Sequence, residues 1–179
     1  SMKALILAAG YATRLYPLTK DFPKPLLEVG GRTILDHLVD QLEAITIVDH
    51  IVLITNHRFA PFFERWRRER GGSKPVTLLD DGTVTIEDRL GAIGDLQFAL
   101  EHAGLVDDLL VTAADNILRF PLAALVAAFH ARPATHLCVH AVDDPDRRRR
   151  TGTAVLDAND RVIEFAEKPP PPKTHWGVP

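Results

Sequence analysis

The chain has 179 residues, 46% of them hydrophobic and 25% charged, which suits one ordinary globular domain with a buried core. Its formal net charge of −3 argues against a nucleic-acid-binding protein, because such proteins gain affinity mainly by neutralising phosphates. The single cysteine, Cys138, excludes a disulfide within this sequence, and no apolar run reaches membrane-spanning length. We therefore expect a cytoplasmic protein with neither a nucleic-acid nor a membrane partner.

Buried strands alternate with amphipathic helices along the chain. The first strand is a continuous aliphatic run that stops at Gly10, which is typical of a central parallel strand covered on both faces. Thr33 followed by Asp36 predicts a capping box at the start of the first helix. In chain order, we predict strands over residues 3–9, 50–55, 76–79, 109–114 and 135–142, helices over residues 34–42, 59–70, 94–103 and 122–129, and a hairpin of residues 153–156 and 161–165.

This alternation predicts an α/β fold with an open, largely parallel sheet. Ligands bind such sheets beyond the carboxyl ends of the strands, and both Gly10 and Asp115 follow predicted strands. The sequence stops at Pro179, shortly after a proline-rich segment and without a final helix or strand. We therefore expect a single domain over residues 1–179 that is truncated or incomplete at its C-terminus.

The loop after the first strand has the composition of a phosphate site. Gly10 allows close approach of a ligand to backbone N–H groups, and Thr13 and Arg14 add a hydroxyl and a guanidinium. Lys24 follows, held between two prolines. The loop matches neither the Walker A pattern nor the dinucleotide-binding glycine pattern. The residues alone leave two interpretations open, a polyphosphate site and a tight connector that exposes two cations.

Three motifs carry a family resemblance. Residues 7–37, LAAGYATRLYPLTKDFPKPLLEVGGRTILDH, closely resemble the signature of sugar-phosphate nucleotidyltransferases, which reads L-A-A-G-x-G-T-R-L, then P-L-T, then P-K-P-L-L. The run EFAEKP at residues 164–169 resembles the F-x-E-K-P box of that family, and Gly152 precedes it at the expected distance. Asp115 and Asn116, after an apolar strand, resemble the metal-binding aspartate region of the family.

The resemblance implies a Rossmann-like (GT-A-like) mixed, mostly parallel sheet flanked by helices. It also implies a Mg²⁺-dependent enzyme that transfers a nucleoside monophosphate from a nucleoside triphosphate to a sugar 1-phosphate, releasing pyrophosphate. Asp115 would hold the Mg²⁺, and the family suggests a homo-oligomer. The other matched positions would act as follows: Arg14 and Lys24 in catalysis, Ala9, Gly10, Ala12, Thr13, Arg14 and Gly91 in nucleotide binding, and Gly152, Glu167 and Lys168 in sugar-phosphate binding.

These residue types suit that reaction. A sugar phosphate is mostly ionised near neutral pH, because its second pKa is about 6, and it therefore needs no general base. The obstacle is the repulsion between two anions. Cationic side chains and a metal ion remove that obstacle by neutralising charge and aligning the reactants.

The match departs from the family pattern at several places. Ala12 stands where the family usually has glycine, so the loop geometry is expected to differ slightly there. A second Mg²⁺ carboxylate usually lies well beyond the F-x-E-K-P box, where this sequence has already ended. Residues 89–96 fall where the family reads the base, but they lack the glutamine of thymidine- and uridine-specific members. The base therefore stays open.

Two other functions stay possible from the sequence. One is the same transfer to another phosphate, such as phosphocholine or an alditol phosphate. The other is a non-catalytic regulatory homologue, which Ala12 and the missing second carboxylate favour. A dinucleotide-dependent oxidoreductase is disfavoured, because the glycine fingerprint of that class is absent.

Overall fold

The computed structural model describes residues 1–168 and 171–178, so Pro169 of the F-x-E-K-P resemblance lies outside the described residues. Over these residues no helix combines the length and the apolar character that a bilayer crossing requires. In chain order the elements are β1 (Met2–Leu7), β2 (Glu28–Val29), β3 (Arg32–Thr33), α1 (Ile34–Glu43), β4 (Val48–Thr55), α2 (Ala60–Glu69), β5 (Val76–Asp80), α3 (Gly91–His102), β6 (Asp108–Ala113), α4 (Leu122–Ala131), β7 (His140–Ala141), α5 (Pro145–Arg148), β8 (Gly152–Leu156), β9 (Val162–Ala166) and β10 (Trp176–Val178).

A parallel sheet with the strand order β5-β4-β1-β6 forms the centre of the fold. β1 lies inside it, with Leu7 in register with Ile54 of β4 on one side and with Ala113 of β6 on the other. Ala4, Leu5 and Ile6 are fully buried, as a strand covered by helices on both faces requires. The predicted α/β class with a mostly parallel, helix-flanked sheet is confirmed.

α2 packs against β5 and α3 packs against β1 of this sheet. The predicted capping box is present in α1, where Thr33 Oγ1 accepts from Asp36 N at 3.0 Å and Thr33 N donates to Asp36 Oδ2 at 3.2 Å. Asp36 Oδ1 also accepts from Trp66 Nε1 of α2 at 2.9 Å. Burial opposes the charge of Asp36, but the hydrogen bonds from Trp66 and Thr33 outweigh it and lower the pKa of this carboxyl. One carboxylate thus fixes the start of α1 and joins it to α2.

The chain divides into two compact units, Ser1–Ala124 and the residues from Leu125 onward. The second unit contains a sheet of order β7-β10-β8-β9 whose described pairings are antiparallel. The predicted hairpin is confirmed as β8 and β9, with the turn at Asn159 and Asp160. The expectation of a single domain over residues 1–179 stays a prediction.

The predicted strand over residues 135–142 is wrong for most of its length. Only His140–Ala141 forms a strand, β7, and it pairs with Trp176 and Gly177 of β10. The sequence is rich in residues that favour strands, but a strand also needs a partner of matching length. β10 has only three residues, and residues 135–139 are only partly buried and lie outside the ladder.

We predict that Thr33→Ala lowers the free energy of unfolding by about 1 kcal/mol, because it removes the side-chain acceptor that caps α1. Urea titration of the variant and the wild type measures the difference. Thr46→Ala, at an exposed position just after α1, is the matched control and is expected to change stability by less than about 0.5 kcal/mol. Equal effects of the two substitutions would contradict the assigned cap.

Candidate functional site

The carboxyl ends of the central strands bring the predicted loops to one edge of the sheet. Beyond the last paired residues, Ala8 N donates to Ile54 O at 2.8 Å and Ala114 N donates to Leu7 O at 3.0 Å. The chain therefore leaves β1, β4 and β6 at the same level. Gly10 and Asp115 both follow at this edge, as the sequence predicted.

Asn56 at the end of β4 supports the start of the loop after β1. Its side chain is fully buried; Nδ2 donates to Ala9 O at 3.0 Å, and Oδ1 accepts from Phe59 N at 2.8 Å. The Ala9 carbonyl is thereby held, and Ala9 itself is buried. Asn56 was not among the residues that the sequence motifs indicated. The short polar run of residues 55–58 between an aliphatic strand and a helix was the available signal.

The loop is closed by its own hydrogen bonds. Ala12 adopts φ 47° and ψ 49°, the left-handed conformation that glycine tolerates better than alanine. Its carbonyl accepts from Leu15 N at 3.0 Å and from Thr19 Oγ1 at 2.8 Å. Thr19 is fully buried, so the second bond is shielded from water. The loop thus takes the backbone conformation that the family's glycine would favour despite the alanine.

Thr13 and Arg14 lie in the short 3-10 turn that follows, and both are exposed. Within residues 1–168 and 171–178, Arg14 forms no ion pair or side-chain hydrogen bond with another residue. A guanidinium in that state keeps all five of its donors available for a ligand. This arrangement fits the predicted phosphate-binding role of the two side chains.

Lys24 and Asp115 meet although they are separated by 91 positions. Lys24 Nζ lies 3.3 Å from Asp115 Oδ2. Lys24 starts a 3-10 turn that is anchored by the buried residues Pro25 and Leu26. The structure therefore brings together a predicted catalytic cation and the predicted metal ligand at the carboxyl edge of the sheet.

Asp115 can contribute to a Mg²⁺ site. Mg²⁺ typically takes one or two carboxylates and completes its shell with phosphate oxygens and water. The Asp115 side chain is 44% exposed, so a carboxylate oxygen can reach a metal-bound substrate. Over the described residues there is no cluster of three or more histidine, cysteine or acidic side chains suited to a metal. Asp115 therefore fits a Mg²⁺ ion whose other ligands are substrate phosphate oxygens and water.

Gly91 begins α3, three residues earlier than predicted. Its φ of 75° is positive, and a Cβ there would meet nothing within 4 Å. Among the described residues no side chain caps this helix end, so its first N–H groups can donate to an acceptor. β5 ends at Asp80, in register with Thr55 of β4, and the chain that leads to Gly91 therefore starts from the same edge of the sheet.

A buried acid also lies in this region, and sequence analysis did not identify it. Asp95 of α3 is only 5% exposed. Burial, and next the neighbouring Asp81 carboxyl, raise the pKa of Asp95 to about 7. An acidic residue four positions before the buried Ala99, on the same helical face, was the signal in the sequence.

The predicted sugar-phosphate residues meet in the second unit. Gly152 is buried at the start of β8, and a Cβ there would lie 3.0 Å from Glu167 Oε2. Lys168 Nζ lies 3.6 Å from Glu167 Oε1, and Lys168 has a φ of 47°. A non-glycine residue in this conformation is uncommon and marks a position held by its surroundings. The absence of a side chain at Gly152 leaves room for the Glu167 carboxylate.

A parallel sheet with Arg14, Lys24 and Asp115 at its carboxyl edge is typical of α/β proteins that bind a ligand beyond the ends of their strands. More specifically, the chain belongs to the nucleotidyl transferase family, which it matches over residues 3–177. The match includes both units and all the predicted site residues. The resemblance identified from the sequence is confirmed.

Curated proteins similar to this chain include a sugar-phosphate nucleotidyltransferase. The chain is 30% identical over 175 residues to the bifunctional protein GlmU of Methanocaldococcus jannaschii, covering 97% of this chain and 38% of the relative. It is 34% identical over 175 residues to a mannose-1-phosphate guanyltransferase of Neurospora crassa, covering 94% of this chain and 45% of the relative. The chain thus spans less than half the length of these curated relatives.

Solved structures share the fold. A structure described as a glucose-1-phosphate thymidylyltransferase from Bacillus anthracis, in complex with sucrose, superposes with a TM-score of 0.78 and 28% identity. That comparison covers 99% of this chain and 69% of the other. A UDP-glucose pyrophosphorylase complexed with UDP-glucose gives a TM-score of 0.80, covering 98% of this chain and 73% of the other. Its identity is 15%, so this second likeness concerns the fold alone.

We predict that Ala12→Gly raises the free energy of unfolding by up to about 1 kcal/mol. Removing the methyl group relieves the left-handed backbone, and this gain exceeds the extra flexibility of the unfolded chain. Thermal and urea unfolding measure the change. The same substitution at Ala127, exposed in α4, is the control and should lower stability by about 1 kcal/mol. If both substitutions lowered the stability, the backbone strain assigned to Ala12 would be wrong.

Proposed function

We propose that this protein transfers a nucleoside monophosphate from a nucleoside triphosphate to a sugar 1-phosphate, forming a nucleoside-diphosphate sugar and pyrophosphate. The observation that carries the proposal is the 3.3 Å contact between Lys24 and Asp115 beside the loop of Gly10 to Arg14. A cation, a metal-binding carboxylate and a loop of N–H donors are the elements that this reaction needs. The membership in the nucleotidyl transferase family supports it.

The nucleoside triphosphate is assigned to the loop after β1 and to the start of α3. In this proposal, the backbone of Ala9, Gly10, Ala12 and Thr13 lines the triphosphate, while the Arg14 guanidinium binds its oxygens. Gly91 lies beside the nucleoside, where a side chain would obstruct it. The exposed Arg14 and the free helix end at Gly91 support these assignments.

The sugar phosphate is assigned to the second unit. The Glu167 carboxylate accepts hydrogen bonds from sugar hydroxyl groups, Gly152 leaves space for that carboxylate, and Lys168 binds the phosphate. The short distance between Gly152 and Glu167 and the position of Lys168 beside the acid support this assignment. The Lys168 ammonium would exchange its contact with Glu167 for one with the incoming phosphate.

In the transfer step, an oxygen of the sugar phosphate attacks the α-phosphorus of the triphosphate. A new P–O bond forms as the bond from the α-phosphorus to the β-phosphate oxygen breaks, and pyrophosphate leaves with that electron pair. No proton has to be removed from the nucleophile, which is already ionised. Arg14 and Lys24 neutralise the phosphates and align the two reactants. A Mg²⁺ ion on Asp115, when bound, supplies further charge neutralisation at phosphate oxygens.

The relatives differ in base and in sugar. Their names include a mannose-1-phosphate guanyltransferase, a glucose-1-phosphate thymidylyltransferase and a UDP-glucose pyrophosphorylase. The substrates of this protein within those classes are therefore to be found by experiment. We propose a cytoplasmic, Mg²⁺-dependent enzyme, since nucleoside triphosphates are its donor substrate.

We predict that full-length protein releases pyrophosphate with Mg²⁺ and one pair drawn from the common nucleoside triphosphates and a panel of sugar 1-phosphates. Arg14→Ala and Lys24→Ala should each lower kcat/KM by about 10²- to 10³-fold, because each removes a charge that stabilises the transition state. Coupled pyrophosphate detection measures the rates.

Arg65→Ala is the matched control, because Arg65 is an exposed arginine of α2 paired with Glu69. It should leave the rate unchanged. No turnover across the panel, with a nucleoside triphosphate still bound, would redirect the proposal to another phosphate acceptor or to a regulatory homologue. No binding of any nucleoside triphosphate would overturn it.

We predict that Gly152→Ala raises KM for the sugar 1-phosphate by on the order of tenfold while leaving KM for the nucleoside triphosphate unchanged. The new methyl group displaces the Glu167 carboxylate, and a small misplacement of a positioning group is costly. Two-substrate steady-state kinetics separate the two KM values. Equal changes in both would argue against a sugar-phosphate role for this pair, and an unfolding curve checks that the variant is folded.

A further inference from the structure

The buried face of α3 carries an acid where an apolar residue is expected. Ala99 of this helix is fully buried and packs with Leu5, Val52 and Ile54 of the central strands. Asp95 lies one turn earlier on the same face and is 5% exposed. A carboxyl group in such a place costs free energy unless it is neutral or paired.

The Asp95 carboxyl interacts with the carboxyl of Asp81. Asp81, which follows β5, uses Oδ1 to accept from Thr83 N at 2.8 Å and from Thr83 Oγ1 at 2.6 Å. Asp81 Oδ2 and Asp95 Oδ1 are both buried and have no hydrogen-bond partner among the described atoms. Two charged carboxylates would repel each other there, but one proton shared between these oxygens satisfies both.

We propose that Asp95 is a positioning residue: as a neutral acid it donates a hydrogen bond to Asp81 and so holds the N-terminal end of α3 at the carboxyl edge of the sheet. This inference rests on the proposed function, in which the start of α3 lies beside the nucleoside. Gly91 is one helical turn before Asp95, so movement of Asp95 also moves the first N–H groups of the helix.

Tyr11, in the loop after β1, belongs to the same cluster. This residue follows Gly10 and is 4% exposed, and its hydroxyl is also buried without a partner among the described atoms. Burial, and next the charges of Asp88 and Asp81, raise the pKa of Tyr11, while Thr83 and Arg58 act in the opposite direction. One buried polar cluster therefore joins the loop after β1, the turn after β5 and the start of α3.

The charged and titratable groups that act on Asp95 or Tyr11 come from several elements. Asp81 interacts with Asp95 directly. Asp88 and Arg58 act on the cluster from its Tyr11 side. The backbone of His57 contacts Thr83, because His57 N donates to Thr83 O at 2.8 Å. The His57 ring instead contacts the Asp80 carboxylate.

The test compares Asp95→Asn and Asp95→Leu in the full chain. Asparagine keeps a donor for Asp81 but cannot ionise, whereas leucine keeps only the volume. Glu101→Gln is the matched control, because Glu101 is an exposed acid of the same helix that accepts from Gln97. Equilibrium Kd for the four common nucleoside triphosphates is measured between pH 6 and pH 9, together with kcat and KM for the pair that reacts.

Between pH 7 and pH 9, Kd and KM for the nucleoside triphosphate should rise on the order of tenfold in the wild type and the control, because ionised Asp95 repels Asp81. Asp95→Asn should bind as the wild type does at pH 6 and keep that affinity across the range. Asp95→Leu should bind on the order of tenfold more weakly at every pH. The proposal would be overturned if Asp95→Leu bound the nucleoside triphosphate as tightly as the wild type does. It would also be overturned if binding by Asp95→Asn still depended on pH.

Unfolding measured against pH provides a readout that needs no substrate. The raised pKa means that the folded state holds the proton more tightly than the unfolded chain, so wild-type stability relative to Asp95→Asn should fall as the pH rises from about 4 to about 7 and then level off. A parallel pH dependence of the two proteins would overturn the neutral acid. If the neutral acid is confirmed but no nucleoside triphosphate binds, the proposed function has failed and the positioning role fails with it.

Discussion

The burial of β1 on both faces, with hydrogen bonds along both of its edges, is the constraint on which the site depends. Leu7 is in register with Ile54 and with Ala113, so neighbouring parallel strands end at one level. The segments that follow must then emerge together at this edge of the sheet. Lys24 and Asp115 meet there because the sheet, and not their separation in the chain, determines where they lie.

Local patterns predicted most of the first unit, while roles that depend on distant partners were missed. The strand ending before Gly10 and the Thr33 capping box are confirmed because both are encoded within a few residues. The buried Asn56 was not identified, because its importance comes from the Ala9 carbonyl 47 positions away. The strand over residues 135–142 was overextended for a related reason, since its length is limited by its partner. The motif resemblance supplied candidate residues, but their contacts required the fold.

Buried polar groups at the carboxyl edge fall into two kinds. Asn56 and Thr19 are hydrogen-bonded to backbone groups, and such bonds define one backbone conformation. Asp81 and Asp95 instead retain oxygens without partners, so their arrangement depends on a proton. The first kind gives the loop after β1 a constant shape. The second makes the neighbouring helix end responsive to its surroundings, and one edge of the sheet therefore combines rigid and adjustable parts.

The two hydrogen bonds that the Ala12 carbonyl accepts affect the kinetics of ligand binding. Thr19 and Leu15 hold that carbonyl through contacts within the chain, without any ligand. The loop therefore loses its conformational entropy when the protein folds, and little remains to be lost when an anion arrives. Such a preorganised loop favours association limited by diffusion and by the orientation of the incoming molecule, with no slow ordering step before capture.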